Sequence, residues 1–236
     1  MNIKMYPKHV GIIPDGNRRY AKEQGLPNAI AYAKGIQVIE DLAEWALRDT
    51  SIEYLTVYAF STENARRGKA ELGQLFDMYE KEFYRVADSS KVQDNGIRIR
   101  VIGAKELLPK GVQDAIAYAE EQTSKFKKKT LSIAMGYGGR EELLHAIKDI
   151  AKEVSAGDLK LDSIDEHLVK EHLYTNGMPY PELIIRTKEH RLSNFLTWQS
   201  AYSELVFVDK HFPEMTVNDF KAALLEFEKR ERRFGK

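Results

Sequence analysis

Short apolar segments of strand type alternate along this chain with longer segments whose apolar residues recur at helical spacing. Helical spacing covers residues 72–86, and also about 33–48, 143–154 and 220–227. Strands that alternate with helices pair in parallel, because the chain must cross back over the sheet before the next strand. We therefore expect an α/β fold, with a sheet of roughly six mostly parallel strands flanked by helices. The expected strands are residues 9–13, 54–60, 97–101, 131–135, 183–187 and 205–208.

The size and composition of the chain limit its organisation and partners. Its 236 residues suffice for one α/β domain and contain no linker or repeat, so we expect residues 1–236 to form a single domain. The 36 basic and 36 acidic side chains balance, which leaves no broad basic surface for nucleic acid. Cysteine is absent, which excludes disulfides. Without a signal-like N-terminus or a membrane-length apolar segment, we expect a cytoplasmic protein with at most peripheral membrane contact.

The first predicted strand ends in a polar loop. A carboxylate, a glycine, an amide and two guanidinium groups follow it, from Asp15, Gly16, Asn17, Arg18 and Arg19. Ligands in open α/β sheets bind at the carboxyl ends of strands, where such loops meet. A plain turn also favours Pro, Asp, Gly and Asn, so this segment alone leaves both interpretations open.

Three later predicted strands end in similar loops, at residues 61–67, 136–141 and 188–195. These loops carry hydroxyls, amides, glycines and arginines. Guanidinium groups match phosphate oxygens bidentately, and hydroxyls and free backbone N–H groups add donors. One such arginine pair is typical of a solvated surface, whereas four such loops at one sheet edge indicate a pocket for phosphate or diphosphate.

Motifs of the common nucleotide-binding folds are missing. The sequence has no Gly-x-x-x-x-Gly-Lys-Ser/Thr segment and no Gly-x-Gly-x-x-Gly between a predicted strand and helix. Five of the six histidines show no metal-ligand spacing, and we interpret them as ordinary surface or core residues. His190 lies inside the loop 188–195, and for it contact with a diphosphate is an alternative.

Six motifs occur in order along the chain. They are Asp-Gly-Asn-x-Arg at 15–19, Phe-Ser-Thr-Glu-Asn at 60–64, Tyr-Gly-Gly-Arg at 137–140, Arg-Thr at 186–187 with Arg-Leu-Ser-Asn-Phe at 191–195, residues 198–205 and residues 230–235. Together they closely resemble the cis-prenyltransferase family, of the undecaprenyl diphosphate synthase type, over residues 9–235. The resemblance implies an enzyme that transfers a prenyl group from an allylic diphosphate to isopentenyl diphosphate and forms a cis double bond.

By the resemblance, the first motif and the distant Glu204 would bind the allylic substrate and its metal ion. The diphosphate gains charge as its bond to carbon breaks, so a divalent cation and arginines stabilise the transition state. Mg²⁺ suits this task because it takes few carboxylates and completes its shell with phosphate oxygens and water. The resemblance implies that Asp15 holds Mg²⁺ and that Glu204 completes the metal site across a homodimer interface. By its sequence context alone, Glu204 would be a surface acid. The allylic diphosphate would contact Gly16, Asn17 and Arg19, with Arg18 beside them.

The resemblance also implies a site for isopentenyl diphosphate. This substrate would bind Arg186, Arg191 and Ser193. The terminal segment of the partner chain, with Arg233 and Gly235, would close over it.

A mobile loop would join the two substrates. It would carry Ser61 and Asn64, which with Asp15 and Asn17 are the expected catalytic residues, and Arg67 would reach a phosphate. An apolar tunnel between sheet and helices, lined by residues 72–86, would hold the product tail. The same apolar stripe also suits plain core.

Several positions depart from the family pattern, and they cluster in substrate-facing loops. Asn28 and Tyr32 stand where an arginine and a histidine are common, at the expected allylic diphosphate site, and Ala65 stands where an aromatic residue is common. The loop after Arg186 is one residue shorter than usual. We interpret these changes as an altered donor or acceptor preference, and loss of activity is the alternative.

Bulky side chains also crowd the expected tunnel, at Met78, Tyr79, Phe83 and Tyr84. We therefore expect short primers such as dimethylallyl diphosphate, short products and tolerance of a prenyl alcohol as acceptor. One alternative is a long-chain polyprenyl diphosphate synthase that makes a glycosyl carrier lipid. The other is a non-catalytic subunit of a heteromeric cis-prenyltransferase, which is less favoured because Asp15 and the terminal Arg-x-Gly are present.

Overall fold

The computed structural model describes residue 3 and residues 5–230, and six strands there form one sheet. The strands are β1 (His9–Ile13), β2 (Tyr54–Ser61), β3 (Ile97–Ile102), β4 (Lys129–Tyr137), β5 (Leu183–Thr187) and β6 (Glu204–Val208). Their order is β3-β4-β2-β1-β5-β6, and each of these neighbouring pairs is parallel. The predicted α/β fold with six strands is confirmed.

Helices connect the strands, as the parallel pairing requires. They are α1 (Asn17–Glu23), α2 (Asn28–Asp49), α3 (Lys69–Ala87), α4 (Ser90–Gln93), α5 (Lys110–Thr123), α6 (Gly139–Ala156), α7 (Glu166–His172) and α8 (Val217–Lys229). Helix α2 begins directly after Pro27, earlier than the apolar spacing indicates. The spacing missed the first turn because that turn is largely exposed and has no core face. Over the residues described, no helix is both long and apolar enough to cross a bilayer.

The alternation of side chains along the strands divides the core between the two faces of the sheet. Val10 and Ile12 of β1 join a large apolar cluster with residues of α2, α3, α5 and α8. Ile13 points to the other face, where it joins a smaller cluster with Ile184 and Phe195. The strands are thus buried on both faces, as parallel strands in α/β folds are.

The strand order brings the polar loops together at one edge. β1 lies between β2 and β5, so the loops that follow these three strands are neighbours at the carboxyl end of the sheet. The register pairs Ile13 with Arg186 at the end of β1 and β5. The segment after β1 and the last residues of β5 therefore meet at the candidate active site.

Candidate active site

The loops after β1, β2 and β5 border a cleft of about 570 Å³, to which α2 and α3 also contribute. Small-molecule sites typically enclose about 300–1,000 Å³. Polar and apolar side chains both line it, which suits a ligand with a charged head and an apolar tail. The polar lining comprises Asp15, Asn17, Tyr32, Ser61, Glu63, Asn64, Arg67, Arg186, Arg191, Ser193 and Asn194.

Asp15 is held by three donors at the polar part of the cleft. Its Oδ2 accepts a hydrogen bond of 2.8 Å from Arg186 Nη2, and its Oδ1 accepts one of 2.7 Å from the Gly16 N–H. Arg19 adds an ion pair at 3.3 Å. Burial raises the pKa of Asp15, but Arg186, the Gly16 N–H and Arg19 outweigh it and hold the pKa below its ordinary value. Asp15 is therefore an anion at neutral pH.

The backbone beside Asp15 has a conformation that requires glycine. Gly16 has φ of 102°, and a Cβ there would lie 2.6 Å from His211 Nδ1. Asn17 Nδ2 donates to the Pro14 carbonyl oxygen at 3.0 Å, while Asn17 Oδ1 is buried without a partner within the described chain. Gly35 of α2 leaves space for this oxygen, since a Cβ there would lie 2.7 Å from it. A buried polar atom without a partner is typical of a ligand site.

Arg186 links β5 to both Asp15 and the following loop. Its side chain is only 4% exposed. Nη1 donates to Ser193 Oγ at 2.7 Å and to the Arg191 carbonyl oxygen, and Nη2 donates to Asp15. Its Nε is buried and has no hydrogen-bond acceptor among residues 5–230. This cation is thus fixed in place, with one donor unused by the described protein.

Glu189 bridges two arginines that the sequence assigns to different substrates. Its Oε1 accepts a hydrogen bond from Arg19 at 2.8 Å, and its Oε2 accepts one from Arg191 at 2.6 Å. Arg191 lines the cleft and its side chain is 62% exposed. The carboxylate therefore connects the β1 and β5 loops.

Ser61 and Asn64 line the cleft as predicted, and they also hold each other. The Asn64 N–H donates to Ser61 Oγ at 3.2 Å, and the Ser61 N–H donates to Asn64 Oδ1 at 3.1 Å. This reciprocal pair is a capping box at the start of a short 3₁₀ segment, Thr62–Arg66. The loop is thus ordered by the same residues that the sequence assigns to substrate contact.

Tyr32 and Arg67 come together at the rim of the cleft. Arg67 Nη1 donates to the Tyr32 hydroxyl at 3.1 Å, and that hydroxyl donates to Glu71 Oε1 at 2.8 Å. Burial and the hydrogen bond to Glu71 raise the pKa of Tyr32 to about 12, so the hydroxyl stays neutral. Asn28 and Arg18 are exposed and do not line the cleft.

Glu204 lies at the amino end of the parallel strands, and Asp15 lies at their carboxyl end. Glu204 begins β6 and pairs with Leu183, the first residue of β5, whereas Asp15 follows the end of β1. The length of strand between the two ends, about four residues, corresponds to roughly 13 Å. Glu204 instead forms an ion pair with Arg230 at 2.9 Å. Asp15 and Glu204 of the same chain therefore do not bind the same metal ion. A metal site shared between two copies in a homodimer stays a prediction.

One further predicted residue, His190, does not add to the cleft. The ring of His190 packs 4.7 Å from the ring of Phe207 and is absent from the lining. Arg233 and Gly235 lie outside the described residues.

The oxygen donors of the cleft suit Mg²⁺, which shares its ligands with substrate and water, better than they suit a metal ion bound by protein side chains alone. Across residue 3 and residues 5–230, no three His, Asp or Glu side chains are grouped to hold a metal ion. Asp15 supplies one ionised carboxylate at the cleft. Mg²⁺ commonly binds through one or two carboxylates and completes its shell with substrate phosphates and water. The residues therefore fit this ion.

The apolar part of the cleft narrows towards the core. Tyr79 is fixed there by a hydrogen bond of 2.9 Å from its hydroxyl to the Ala59 carbonyl oxygen. An apolar cavity of about 70 Å³ shares Tyr79 and Ala59 with the cleft. A continuous tunnel is not seen among the described residues. Of the side chains expected to crowd it, Met78 and Tyr79 line the cleft and Phe83 lines the small cavity.

Tyr84 corrects the prediction of a crowded path. It is 38% exposed, and its ring packs against Tyr118, 5.1 Å between centroids. It lines neither of the two cavities. The reason is helical geometry, because a residue directly after the buried Phe83 is rotated about 100° away from it.

Asn194 and Glu63 were missed by the sequence analysis. Asn194 Nδ2 donates to Glu63 Oε1 at 3.1 Å, and its Oδ1 accepts from the Arg140 N–H at 2.9 Å. The loop at residues 136–141, one of the four predicted from the sequence, thus supports the cleft through Asn194 and does not line it. An asparagine with a positive φ of 65° is a turn signal, but its partners lie too far along the chain to be predicted.

The fold and cleft match one protein family. Residues 13–235 match the family described as putative undecaprenyl diphosphate synthase. The chain belongs to this family of prenyltransferases, and the resemblance and enzyme class predicted from the sequence are confirmed.

Several relatives are similar over almost the whole chain. A protein of Pyrococcus horikoshii, named tritrans,polycis-undecaprenyl-diphosphate synthase (geranylgeranyl-diphosphate specific), is 47% identical over 98% of this chain and 87% of its own length. One of Methanocaldococcus jannaschii with the same name is 46% identical over 98% and 83%.

Two solved structures have the same architecture. Lavandulyl diphosphate synthase from Lavandula x intermedia, in complex with dimethylallyl diphosphate, superposes with a TM-score of 0.94 at 36% identity and covers 98% of this chain and 99% of its own. A probable undecaprenyl diphosphate synthase of Campylobacter jejuni gives 0.79 at 31% identity and covers 98% and 100%.

Proposed function

We propose that this enzyme joins an allylic diphosphate to isopentenyl diphosphate, with a cis double bond in the product. The allylic diphosphate lies beside Asp15, Gly16 and Asn17, with Arg19 neutralising part of its charge. The observation that carries this proposal is the pairing of the ionised Asp15 with a buried, rigidly held Arg186 in a cleft that also has an apolar part. Fixed charges of this kind stabilise a departing anion without reorganisation.

Mg²⁺ is the cofactor that this arrangement favours. Asp15 is the residue that would hold it, and Glu204 of a second copy would complete the site in a homodimer. When bound, the ion neutralises charge that develops on the diphosphate. Meanwhile Arg186 keeps Asp15 ionised and oriented, since it holds the pKa of that carboxyl below its usual range.

Isopentenyl diphosphate fits the loop after β5. Arg186 and Arg191 both line the cleft, so their guanidinium groups can donate to phosphate oxygens. Ser193 is oriented by its bond to Arg186. The resulting position is next to Asp15, so the two diphosphates would lie side by side.

We propose short products, primed by a small allylic diphosphate. The support is the size of the apolar space beyond Tyr79, about 70 Å³. This apolar space is small beside the cleft of about 570 Å³, which favours a short product tail. A prenyl alcohol as acceptor remains part of the proposal, because the departures at Tyr32 and Ala65 alter the substrate-facing rim.

Long-chain synthesis is the second candidate. The names of the relatives from Pyrococcus and Methanocaldococcus favour a geranylgeranyl primer and an undecaprenyl product. That product needs the apolar cavity to open between α2 and α3.

One experiment separates the two candidates. The purified protein is incubated with Mg²⁺, labelled isopentenyl diphosphate and allylic primers of five to twenty carbons, and products are identified by mass. Short diphosphates from dimethylallyl diphosphate support the proposal. A dominant C50 to C55 product, with no turnover of the five-carbon primer or of alcohols, refutes it and supports the second candidate. No product with any primer refutes both and points to a non-catalytic subunit.

A further inference from the structure

Glu71, at the start of α3, binds the same cationic and hydroxyl groups that a phosphate would bind at the cleft rim. Its carboxylate accepts a hydrogen bond of 2.8 Å from the Tyr32 hydroxyl and lies 3.5 Å from Arg67 Nη1. Arg18 lies at 3.9 Å on its other side. Its side chain is only 24% exposed, so these contacts are partly shielded from water.

The hydroxyl of Tyr32 has no second proton to offer. A phenol donates one hydrogen bond, and that of Tyr32 goes to Glu71. The oxygen of the same hydroxyl accepts from Arg67. Tyr32 therefore cannot donate to a phosphate oxygen until Glu71 releases it.

One nitrogen of Arg67, Nη1, is engaged by the same groups. Arg67 contacts Tyr32 and Glu71, and its side chain is only 20% exposed. A diphosphate that approaches Arg67 also approaches the Glu71 carboxylate, and two anions at this distance repel each other. Binding of one anion at Arg67 thus opposes binding of the other.

We propose that Glu71 is an internal competitor of the allylic diphosphate, and that it sets the affinity of the cleft for that group. Tyr32 positions the competitor by fixing its carboxylate beside Arg67. The entering diphosphate displaces Glu71, which frees one guanidinium and one neutral hydroxyl as donors. This inference rests on the proposed function, because it assigns the allylic diphosphate to this cleft.

The consequence is discrimination between substrates by charge. A diphosphate brings enough charge to displace a carboxylate, whereas a monophosphate or an alcohol brings less or none. Glu71 would therefore exclude weakly charged ligands from the allylic position, while the acceptor position near Arg191 remains unaffected.

The test measures binding of inorganic pyrophosphate, so it does not depend on turnover. Calorimetric titrations with Mg²⁺ present compare the unmodified protein with Glu71→Gln. Removing the competing charge should tighten binding about two- to fivefold, the range expected for one partly shielded ion pair. Glu44→Gln is the matched control, because Glu44 is also an ion-paired helix residue, at 2.7 Å from Arg48 and remote from the cleft lining, and should leave binding unchanged.

An Arg67→Ala background distinguishes competition from general repulsion. If Glu71 competes for Arg67, Glu71→Gln tightens binding little or not at all once Arg67 is gone. An equal gain in both backgrounds overturns the inference, as do unchanged or weaker binding in Glu71→Gln and absence of binding in both proteins. A parallel turnover assay with allylic primers reports separately on the proposed function.

Discussion

Replacing Asp15 by alanine should affect both stability and turnover. From the sequence alone, a carboxylate in a loop should contribute little to stability. The structure gives a different expectation, because the Arg186 side chain is only 4% exposed and Asp15 is the single carboxylate within ion-pair distance of it among residues 5–230. Asp15→Ala leaves a buried guanidinium without its counter-charge.

The magnitude follows from the burial of the two partners. Breaking a fully buried ion pair by removing one partner costs about 3–5 kcal/mol. Asp15 is 31% exposed, so solvent screening reduces the expected loss to about 1–3 kcal/mol. A domain of this size loses about 2–4 °C of Tm per kcal/mol, so Tm should fall by about 2–12 °C. Turnover should be lost almost completely, since Asp15 is the proposed metal ligand.

The stability loss should depend on pH in a defined direction. The folded-state pKa of Asp15 is depressed below its ordinary value of 3.8. The group therefore contributes stability above the unfolded pKa, and that contribution is lost as the pH falls through the folded pKa. The Tm difference between the two proteins should be constant near neutral pH and should shrink once the pH falls below 3.8.

A double variant separates the two effects. Asp15→Ala with Arg186→Met replaces the pair by apolar groups, which often restores stability but cannot restore a metal site. Thermal unfolding and product formation are measured on all three proteins. The reasoning is refuted if Asp15→Ala keeps its Tm, or if it keeps its turnover.

Three further results are expected. Tyr79→Ala removes the ring between the cleft and the apolar cavity, so mass spectrometry should find longer products; an unchanged product distribution would contradict the limit at this side chain. Gly35→Ala places a methyl group 2.7 Å from Asn17 Oδ1. It should raise the KM for the allylic primer at least threefold with little change in Tm. An unaltered KM would show that Asn17 does not need this space. Deleting residues 232–236 should raise the KM for isopentenyl diphosphate far more than it lowers Tm; a monomer by light scattering that keeps full activity would rule out the shared site.

Local patterns predicted the elements of the fold well. The strands appear where apolar segments end in Gly, Pro or polar residues, and α3 appears where Leu75 and Phe83 keep helical spacing. The strand order was not predictable from these patterns. β4 inserts between β2 and β3, a choice that depends on how the helices pack and not on any one segment.

The site shows the same division between local and remote information. Asp15 was identified from its own loop, because strand ends with carboxylate and guanidinium groups are typical of ligand sites, whereas Arg186 was identified from the family resemblance. Their direct pairing joins positions 171 residues apart and required the register of β1 against β5. Glu71 gave no signal of its own, since an acid in the first turn of a helix is common for reasons of helix stability alone.

The carboxylates explain how a protein with no net charge can present a cleft for diphosphates. Asp15 accompanies Arg186, Glu189 bridges Arg19 and Arg191, and these pairs hold the guanidinium groups in fixed positions. Unpaired arginines this close would repel each other and spread into solvent, so their counter-ions organise the cleft before substrate arrives. The same pairing lowers the affinity for any single anion, because each phosphate must compete with a carboxylate. Affinity then depends on a ligand with several charges and on a divalent cation at Asp15, which is the combination that a magnesium diphosphate supplies.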